Sequence, residues 1–283
     1  VRIIRNESEV APPSYDILYI LHIIKNSTSV LSPTTMAAST QMATSIIIPA
    51  YKTAFLESCL SAKVLSFGVY TLKSGRQSPY FFNAGSFHTS ALLSAISTAF
   101  AHTIISFLSS HPSIPKPDIL FGPAYKGIPL ACSTLLELYR LDPQTWSSVS
   151  YSYNRKEVKD HGEGGGIVGA SLKGKNVLVI DDVITAGTAM RETIKTVAKE
   201  GGNVVGFVVA LDRVEKMPGP REKEGIDDGE PRMSAMGQIR HEFGVPTASI
   251  VTLDDLIAVL REKGDGGDIE RLEEYRRRYG ASD

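Results

Sequence analysis

The chain has 283 residues, of which 42% are hydrophobic and 22% charged. This composition is typical of a globular protein with one large α/β domain or two small ones, and the formal net charge of −1 excludes an overall attraction to nucleic acid or to an anionic membrane. The two cysteines, Cys59 and Cys132, are too few for a disulfide framework or a zinc site, so we expect buried thiols. We expect no stretch long and apolar enough to span a bilayer.

The first part of the chain has an irregular pattern. Residues 1–35 contain one apolar patch, 17–24, and Met36 begins a run of small residues. We expect residues 1–48 to be a disordered or non-native N-terminal extension, with the folded protein beginning near Met36 or later. A secretory signal is the alternative interpretation of the patch, but no compact basic start precedes it.

From residue 49 the pattern becomes regular, and we expect a single domain over residues 49–283. Helix-length segments that separate short apolar runs indicate βαβ units, and hence a mostly parallel central sheet flanked by helices. Residues 49–90, together with the C-terminal helices, are expected to form a small hood. In chain order the pattern predicts a helix over 51–65, strands over 67–72 and 80–83, a helix over 91–108, a strand over 118–121, a helix over 128–138, strands over 149–153 and 177–180, a helix over 189–199, a strand over 204–211, a helix over 233–243, a strand over 248–253, and helices over 256–263 and 269–279.

The segment TLKSGRQSPYFFN combines a cation with two adjacent aromatic residues. Lys73 follows one predicted strand, and Phe81 and Phe82 lie on the next. A lysine beside aromatic rings can neutralise and stack on a flat anionic ring. Taken alone, a surface lysine and two core phenylalanines are the simpler interpretation.

The segment FGPAYKG is a turn between a strand and a helix. Its backbone can approach a polyphosphate closely, and Lys126, next to Tyr125, can supply positive charge. Without further support, this segment is a generic turn.

The loop Arg155–Gly166 is first basic and then rich in glycine. Its cations are Arg155, Lys156, Lys159 and His161. A lid that closes over a pyrophosphate needs both charge and flexibility, whereas an ordinary surface loop is the alternative.

The most informative stretch is VLVIDDVITAGT, residues 177–188. A continuous apolar run predicts a buried strand, and Asp181 and Asp182 follow it where open α/β sheets place their ligands. Thr185 to Thr188 supply hydroxyls and backbone N–H groups that suit a phosphate monoester. The carboxylates suit ribose hydroxyls, or a Mg²⁺ ion that a polyphosphate brings along. The alternative is an aspartate that merely caps the following helix.

The next strand ends in Asp212 and Arg213. The planar guanidinium group of Arg213 can pair bidentately with a carboxylate or carbonyl edge of a substrate. The alternative is a salt bridge to Asp212 or to another nearby acid. The following 214–231 segment is charged and rich in Gly and Pro, which predicts a mobile surface loop.

Taken together, these motifs resemble those of the orotate phosphoribosyltransferases. VLVIDDVITAGTA resembles the phosphoribosyl pyrophosphate signature of the type I phosphoribosyltransferases, and the FFN and basic-lid motifs resemble the orotate branch. The resemblance runs from about Tyr51 to Tyr279. It implies the type I phosphoribosyltransferase fold, and an enzyme that transfers the ribosyl 5-phosphate of phosphoribosyl pyrophosphate to N1 of orotate in pyrimidine biosynthesis.

The resemblance also implies a role for each motif. The catalytic residues would be Lys73, Lys159, His161, Asp181 and Asp182. Phosphoribosyl pyrophosphate would contact Lys73, Tyr125, Lys126, Arg155, Lys156, Lys159, His161, Asp181, Asp182, Val183, Ile184, Thr185, Ala186, Gly187, Thr188 and Ala189. Orotate would contact Lys73, Phe81, Phe82, Thr185 and Arg213. Mg²⁺ would be held through the pyrophosphate, with Asp181 and Asp182 as candidate ligands.

The implied assembly is a cytoplasmic homodimer in which the lid loop reaches into the active site of the partner, with no nucleic acid or membrane partner. Two alternatives stay open. One is a type I transferase that acts on a purine or on uracil, against which the FFN and lid motifs argue. The other is a regulatory protein of the same fold that senses phosphoribosyl pyrophosphate, although the sequence offers no basic field for nucleic acid.

Overall fold

The computed structural model describes residues 48–159, 165–184, 187–264 and 266–283. They lie in one compact unit, 46–283. The expected extension over residues 1–48 lies almost wholly outside the described residues and stays a prediction. The elements in chain order are α1 (Ala50–Ser61), β1 (Leu65–Thr71), β2 (Gln77–Phe82), α2 (Ser90–Ser110), β3 (Ile119–Phe121), α3 (Gly127–Leu141), α4 (Pro143–Trp146), β4 (Ser150–Lys159), β5 (Gly165–Gly169), β6 (Asn176–Val183), α5 (Thr188–Lys199), β7 (Asn203–Asp212), α6 (Ala235–Phe243), β8 (Thr247–Thr252), α7 (Leu253–Lys263) and α8 (Gly266–Tyr279).

The described strands form a central sheet in the order β5-β4-β3-β6-β7-β8. All neighbouring pairs are parallel except β4 and β5, which are antiparallel. The expectation of a mostly parallel sheet flanked by helices is therefore confirmed. Because parallel strands end at the same edge, the segments that follow β3, β6 and β7 lie side by side there.

The core explains why the central strands are continuous apolar runs. Val177 to Ile180 of β6 are fully buried, with alternate side chains in two different hydrophobic clusters, one on each face of the sheet. Helix α2 contributes Ile96, Phe100 and Ile104 to one of these clusters. The expectation that no stretch is long and apolar enough to cross a membrane was wrong on length and composition, because the 21 residues of α2 meet both criteria.

Strands β1 and β2 form a separate antiparallel pair that packs against α8. Phe67 lies opposite Tyr80, whose ring meets that of Tyr275 edge-on at 6.4 Å between centroids. The turn between the strands contains Gly75 at φ +92°, and a Cβ there would lie 2.6 Å from the carbonyl oxygen of Glu222. The hairpin is thus held close to the 214–231 segment.

Three sequence-based expectations were wrong in part. The predicted loop at 155–166 begins as regular structure, because β4 continues to Lys159 and pairs with β5. The 214–231 segment is not simply a surface loop, since Lys216 and Glu222 are buried. Cys59 is a buried thiol as expected, but Cys132 is only half-buried.

Candidate active site

The turn between β3 and α3 depends on two glycines packed backbone to backbone. A Cβ on Gly122 would lie 2.0 Å from the carbonyl oxygen of Gly127, and a Cβ on Gly127 would lie 2.8 Å from the carbonyl carbon of Gly122. The turn therefore closes tightly and leaves Tyr125 exposed and Lys126 at the start of α3. Asn154 on β4 supports it, because its side-chain oxygen accepts the backbone N–H of Ala124 at 3.0 Å. The sequence analysis did not single out Asn154.

The two aspartates lie on β6 itself, which runs to Val183 and does not stop before them. Lys126 donates to Asp182 at 2.8 Å, which links the β3–α3 turn to the end of β6. The backbone N–H of Asp182 donates to the Asp181 carboxylate at 2.9 Å. Burial, with the negative charge of Asp182 next, raises the pKa of Asp181 to about 7.

The turn after the aspartates leads into α5 without a side-chain cap. Gly187, which has no side chain, is the N-cap residue of the helix at φ +70°, and among the described residues neither aspartate accepts a hydrogen bond from an N–H of α5. The alternative that an aspartate merely caps this helix is therefore wrong. Val183 is half-buried and Ile184 is buried in the core, whereas Thr188 and Ala189 are exposed at the helix start. Thr185 and Ala186 lie outside the described residues.

The basic end of β4 faces the β3–α3 turn. The ammonium group of Lys156 lies 4.7 Å from the centre of the exposed Tyr125 ring, a cation–π contact. Arg155 is half-buried on the same strand. The side chain of Lys159 and the whole of His161 lie outside the described residues, so their expected roles stay predictions.

The aromatic pair on β2 is divided between two environments. Phe82 is 8% exposed and belongs to the core, whereas Phe81 is 42% exposed and its ring lies 5.3 Å from that of Tyr70. Successive residues of a strand point to opposite faces, so the two rings cannot line the same face of a ligand. Lys73 is exposed in the hairpin turn that follows Thr71.

Arg213 is 6% exposed, and it is paired with an acid as the alternative interpretation expected. The acid is Glu215, which accepts from Nε at 2.6 Å, and not Asp212. The guanidinium lies 4.2 Å above the centre of the Tyr80 ring. Neither Tyr80 nor Glu215 was singled out from the sequence, although the spacing of Arg213 and Glu215, two residues apart, was a signal for such a pair.

At one edge of the sheet, these segments bring together the carboxylates of Asp181 and Asp182, the ammonium group of Lys126 that pairs with Asp182, and the cationic end of β4. Such a set can bind an anion beside a polyol. Among the residues that the structure describes, no group of three or more His, Cys, Asp or Glu side chains is placed to hold a metal ion alone.

Comparison with known proteins shows to which family this chain is similar. A sequence model of the phosphoribosyl transferase domain matches residues 96–227. Over 236 residues, which cover 83% of this chain and 98% of the relative, the chain is 54% identical to the orotate phosphoribosyltransferase of Metarhizium anisopliae. It is also 54% identical to that of Neurospora crassa over 234 residues, which cover 82% of this chain and 97% of the relative.

The chain belongs to the orotate phosphoribosyltransferase family. The solved orotate phosphoribosyltransferase of Francisella tularensis has the same fold, with a TM-score of 0.65 and 37% identity over 80% of this chain and 99% of that chain. The expected fold class and the resemblance to orotate phosphoribosyltransferases are confirmed. These matches do not favour the regulatory alternative.

Proposed function

We propose that this chain transfers the 5-phosphoribosyl group of phosphoribosyl pyrophosphate to N1 of orotate, which gives orotidine 5′-monophosphate and pyrophosphate. The observation that carries the proposal is the 54% identity to a named orotate phosphoribosyltransferase across 98% of its length. The product is a pyrimidine nucleotide, so the reaction belongs to pyrimidine biosynthesis.

The end of β6 and the start of α5 hold the ribosyl 5-phosphate in this proposal. The backbone from Val183 to Ala189 and the hydroxyls of Thr185 and Thr188 take the phosphate, with the positive end of the α5 dipole behind them. Ile184 contributes through its backbone, because its side chain is buried. Asp181 and Asp182 accept the ribose hydroxyls and lie near the positive charge that develops on the ribose ring.

The β3–α3 turn and the lid take the pyrophosphate. Tyr125, Lys126, Arg155 and Lys156 supply a positive surface next to the carboxylates, which the Lys126–Asp182 and Lys156–Tyr125 contacts hold together. As the C1–oxygen bond breaks, negative charge accumulates on the pyrophosphate, and positioned cations stabilise it without a covalent enzyme intermediate. Lys73, with Lys159 or His161, completes the cationic set, and Lys159 or His161 protonates the leaving oxygen.

The carboxylates at the end of β6 fit a Mg²⁺ ion that arrives with the substrate. Mg²⁺ in such sites is bound by one or two carboxylates, by substrate phosphates and by water, and the described residues offer a carboxylate pair and no fuller cage. Asp181 and Asp182 are therefore the candidate ligands. The bound ion would add positive charge where the pyrophosphate leaves.

Orotate binds on the hood side in this proposal, against Lys73, Phe81, Thr185 and Arg213. N1 of orotate is already acidic, so its reaction with C1 of the ribose needs no strong general base. Phe82 contributes to this surface only by supporting the strand, because it is a core residue.

We further propose a cytoplasmic homodimer in which the lid of one subunit enters the active site of the other. Helix α3 supports a second copy as partner, because Leu136 and Tyr139, three residues apart on one helix face, are 67% and 51% exposed. The two free cysteines fit a reducing compartment. No nucleic acid or membrane partner is proposed.

A steady-state assay tests the reaction. Purified protein with phosphoribosyl pyrophosphate and Mg²⁺ is expected to consume orotate, and uracil, adenine and hypoxanthine are parallel substrates. Turnover of orotate alone, lost when the metal is chelated, supports the proposal. Binding of phosphoribosyl pyrophosphate without turnover of any base would instead indicate the regulatory protein.

Subunit mixing tests the shared lid. Lys159→Ala and Asp182→Asn are each expected to leave the homodimer with a small residual activity that can still be measured. In a mixed dimer the two defects fall in the same site if the lid is shared, so one intact site remains and activity returns on mixing. If mixing restores no activity while mixed dimers form, the lid acts within its own subunit.

A further inference from the structure

We propose that a buried cluster around Arg213 fixes the orientation in which this arginine meets the carboxylate of orotate, and that Glu215 and Ser78 are its positioning residues. The inference rests on the role proposed above for Arg213. It also gives the 214–231 segment a function, since Glu215 belongs to that segment.

Three contacts fix the guanidinium plane of Arg213. Nε donates to Glu215 at 2.6 Å, and Nη2 donates to the Ser78 hydroxyl at 2.8 Å and to the Tyr275 hydroxyl at 3.4 Å. Its Cζ atom lies over the ring of Tyr80, 4.2 Å from the ring centre. A planar group held along one edge and on one face has a single orientation.

The remaining edge of the guanidinium belongs to Nη1. Among the described residues, no contact of the Arg213 Nη1 hydrogens with a hydrogen-bond acceptor is recorded, whereas Nε and Nη2 each have one or more. Two N–H groups in a fixed direction suit a carboxylate oxygen or a carbonyl edge. Preorganised donors of this kind need no rearrangement when the ligand arrives.

Glu215 is itself held by a second arginine. Its Oε2 accepts from Nη1 of Arg76 at 3.3 Å, while its Oε1 accepts from Arg213. Arg76 in turn makes a two-point contact with Glu222, at 2.7 Å from Nε and 2.9 Å from Nη2. Glu215 is thus fixed from both sides, and its carboxylate cannot follow Arg213 if that side chain turns.

The cluster is also balanced in charge. The recorded ion pairs join two guanidinium groups to two carboxylates, and the four side chains are at most 14% exposed. The acids keep both arginines in place at this depth, where an unpaired charge is costly. The carboxylate of orotate would be the next anion, and it can approach only the edge of Arg213 that Glu215 and Ser78 do not occupy.

Steady-state kinetics of Glu215→Gln and Ser78→Ala test the inference, with Glu224→Gln as the matched control. Glu224 lies in the same segment but forms an exposed pair with Arg221. Both test variants are expected to raise the KM for orotate about tenfold, the effect of one weakened charge-assisted hydrogen bond, while the KM for phosphoribosyl pyrophosphate stays within about twofold. The control keeps both values.

Titration calorimetry measures a difference in nucleotide affinity that a purely structural role of these residues would not change. Orotidine 5′-monophosphate carries the carboxylate and uridine 5′-monophosphate lacks it. Each test variant is expected to weaken binding of the first about tenfold and leave the second unchanged. Ser78→Ala changes no charge and little volume, so it decides the matter if Glu215→Gln does not fold.

The outcomes separate the two proposals. If the unaltered protein does not turn over orotate, the proposed function is wrong. Suppose that the unaltered protein turns over orotate. If a folded test variant then has the same KM for orotate as the control, and the same preference for orotidine 5′-monophosphate over uridine 5′-monophosphate, only the positioning role is overturned. An equal loss for both nucleotides also overturns it, because the defect is then not specific to the carboxylate.

Discussion

Replacing Glu222 by glutamine removes one charge from the most deeply buried ion pair described in the protein. The side chains of Arg76 and Glu222 are only 1% and 4% exposed. Both carboxylate oxygens accept from Arg76, and Oε2 also accepts the backbone N–H of Gly219 at 2.9 Å. Glutamine has nearly the same volume, so the substitution tests the charge and the acceptors and not the packing.

The expected loss follows from these contacts. Removing one partner of a buried pair costs about 3–5 kcal/mol, because the other charge is left without compensation. Here Glu215 still balances part of the charge of Arg76 at 3.3 Å, and the amide oxygen still accepts one hydrogen bond. We therefore expect Glu222→Gln to lower the free energy of unfolding by about 2–3 kcal/mol.

Urea unfolding followed by circular dichroism measures this loss. The midpoint is expected to fall with the slope unchanged, and the melting temperature to fall by roughly 4–12 °C. Glu224→Gln, in an exposed pair in which both side chains are more than 60% exposed, is the control and is expected to lose at most about 0.5 kcal/mol. Equal, small losses in both variants would refute the reasoning, because the buried pair would then contribute no more than an exposed one.

Three further predictions concern the catalytic edge of the sheet. Lys159→Ala is expected to lower kcat by about 10²–10⁴-fold in the steady-state assay, because it removes a cation or proton donor from the leaving pyrophosphate. The raised pKa of Asp181 means that this group is protonated below about pH 7, so kcat/KM for phosphoribosyl pyrophosphate should fall as the pH is lowered through 7. Asp182→Asn should move that fall to lower pH, because it removes the neighbouring negative charge and releases the lysine paired with it. Gly122→Ala should raise the KM for phosphoribosyl pyrophosphate and lower the unfolding free energy by about 1–3 kcal/mol, since the added Cβ meets the carbonyl oxygen of Gly127 at 2.0 Å.

Each of these predictions has a matched comparison. Lys173→Ala removes an exposed lysine that precedes β6, at the opposite end of that strand from the two aspartates, and it should keep the wild-type kcat. An unchanged kcat in Lys159→Ala as well would remove Lys159 from the mechanism. Gly267→Ala, on α8, adds a Cβ with no atom of the described residues within 4 Å, so it should be far milder than Gly122→Ala. A pH profile that stays in place in Asp182→Asn would mean that another group titrates.

The sequence predicted the centre of the fold because local signals agree there. The apolar run from Val177 to Ile180 is buried on both faces, and the glycine at 187 precedes a helix whose apolar residues recur every three or four positions. The same reasoning located the carboxylates near the carboxyl end of β6. It placed the start of α7 three residues late, because Thr252 and Asp255 form a capping box that starts the helix at Leu253.

Tertiary contacts decided what the sequence could not predict. The polar end of β4 had the composition of a loop, yet it is a strand because β5 pairs with it, and β5 itself is rich in glycine. The charged 214–231 segment resembled a mobile loop, yet Glu222 and Lys216 are buried because each meets an opposite charge, Arg76 for the one and Asp227 for the other. Composition alone reveals neither pair, and Arg76 lies 146 residues from Glu222 in the chain.

The buried thiol of Cys59 makes local unfolding of this protein measurable by thiol labelling. Cys59 lies on α1 and is fully buried in the core, and burial raises its pKa. Thiol reagents attack the thiolate, so in the folded protein the half-buried Cys132 is the accessible target. Labelling of Cys59 must then wait for this part of the core to open. The rate at which Cys59 is labelled therefore reports how often this part of the core opens, and no introduced cysteine is needed.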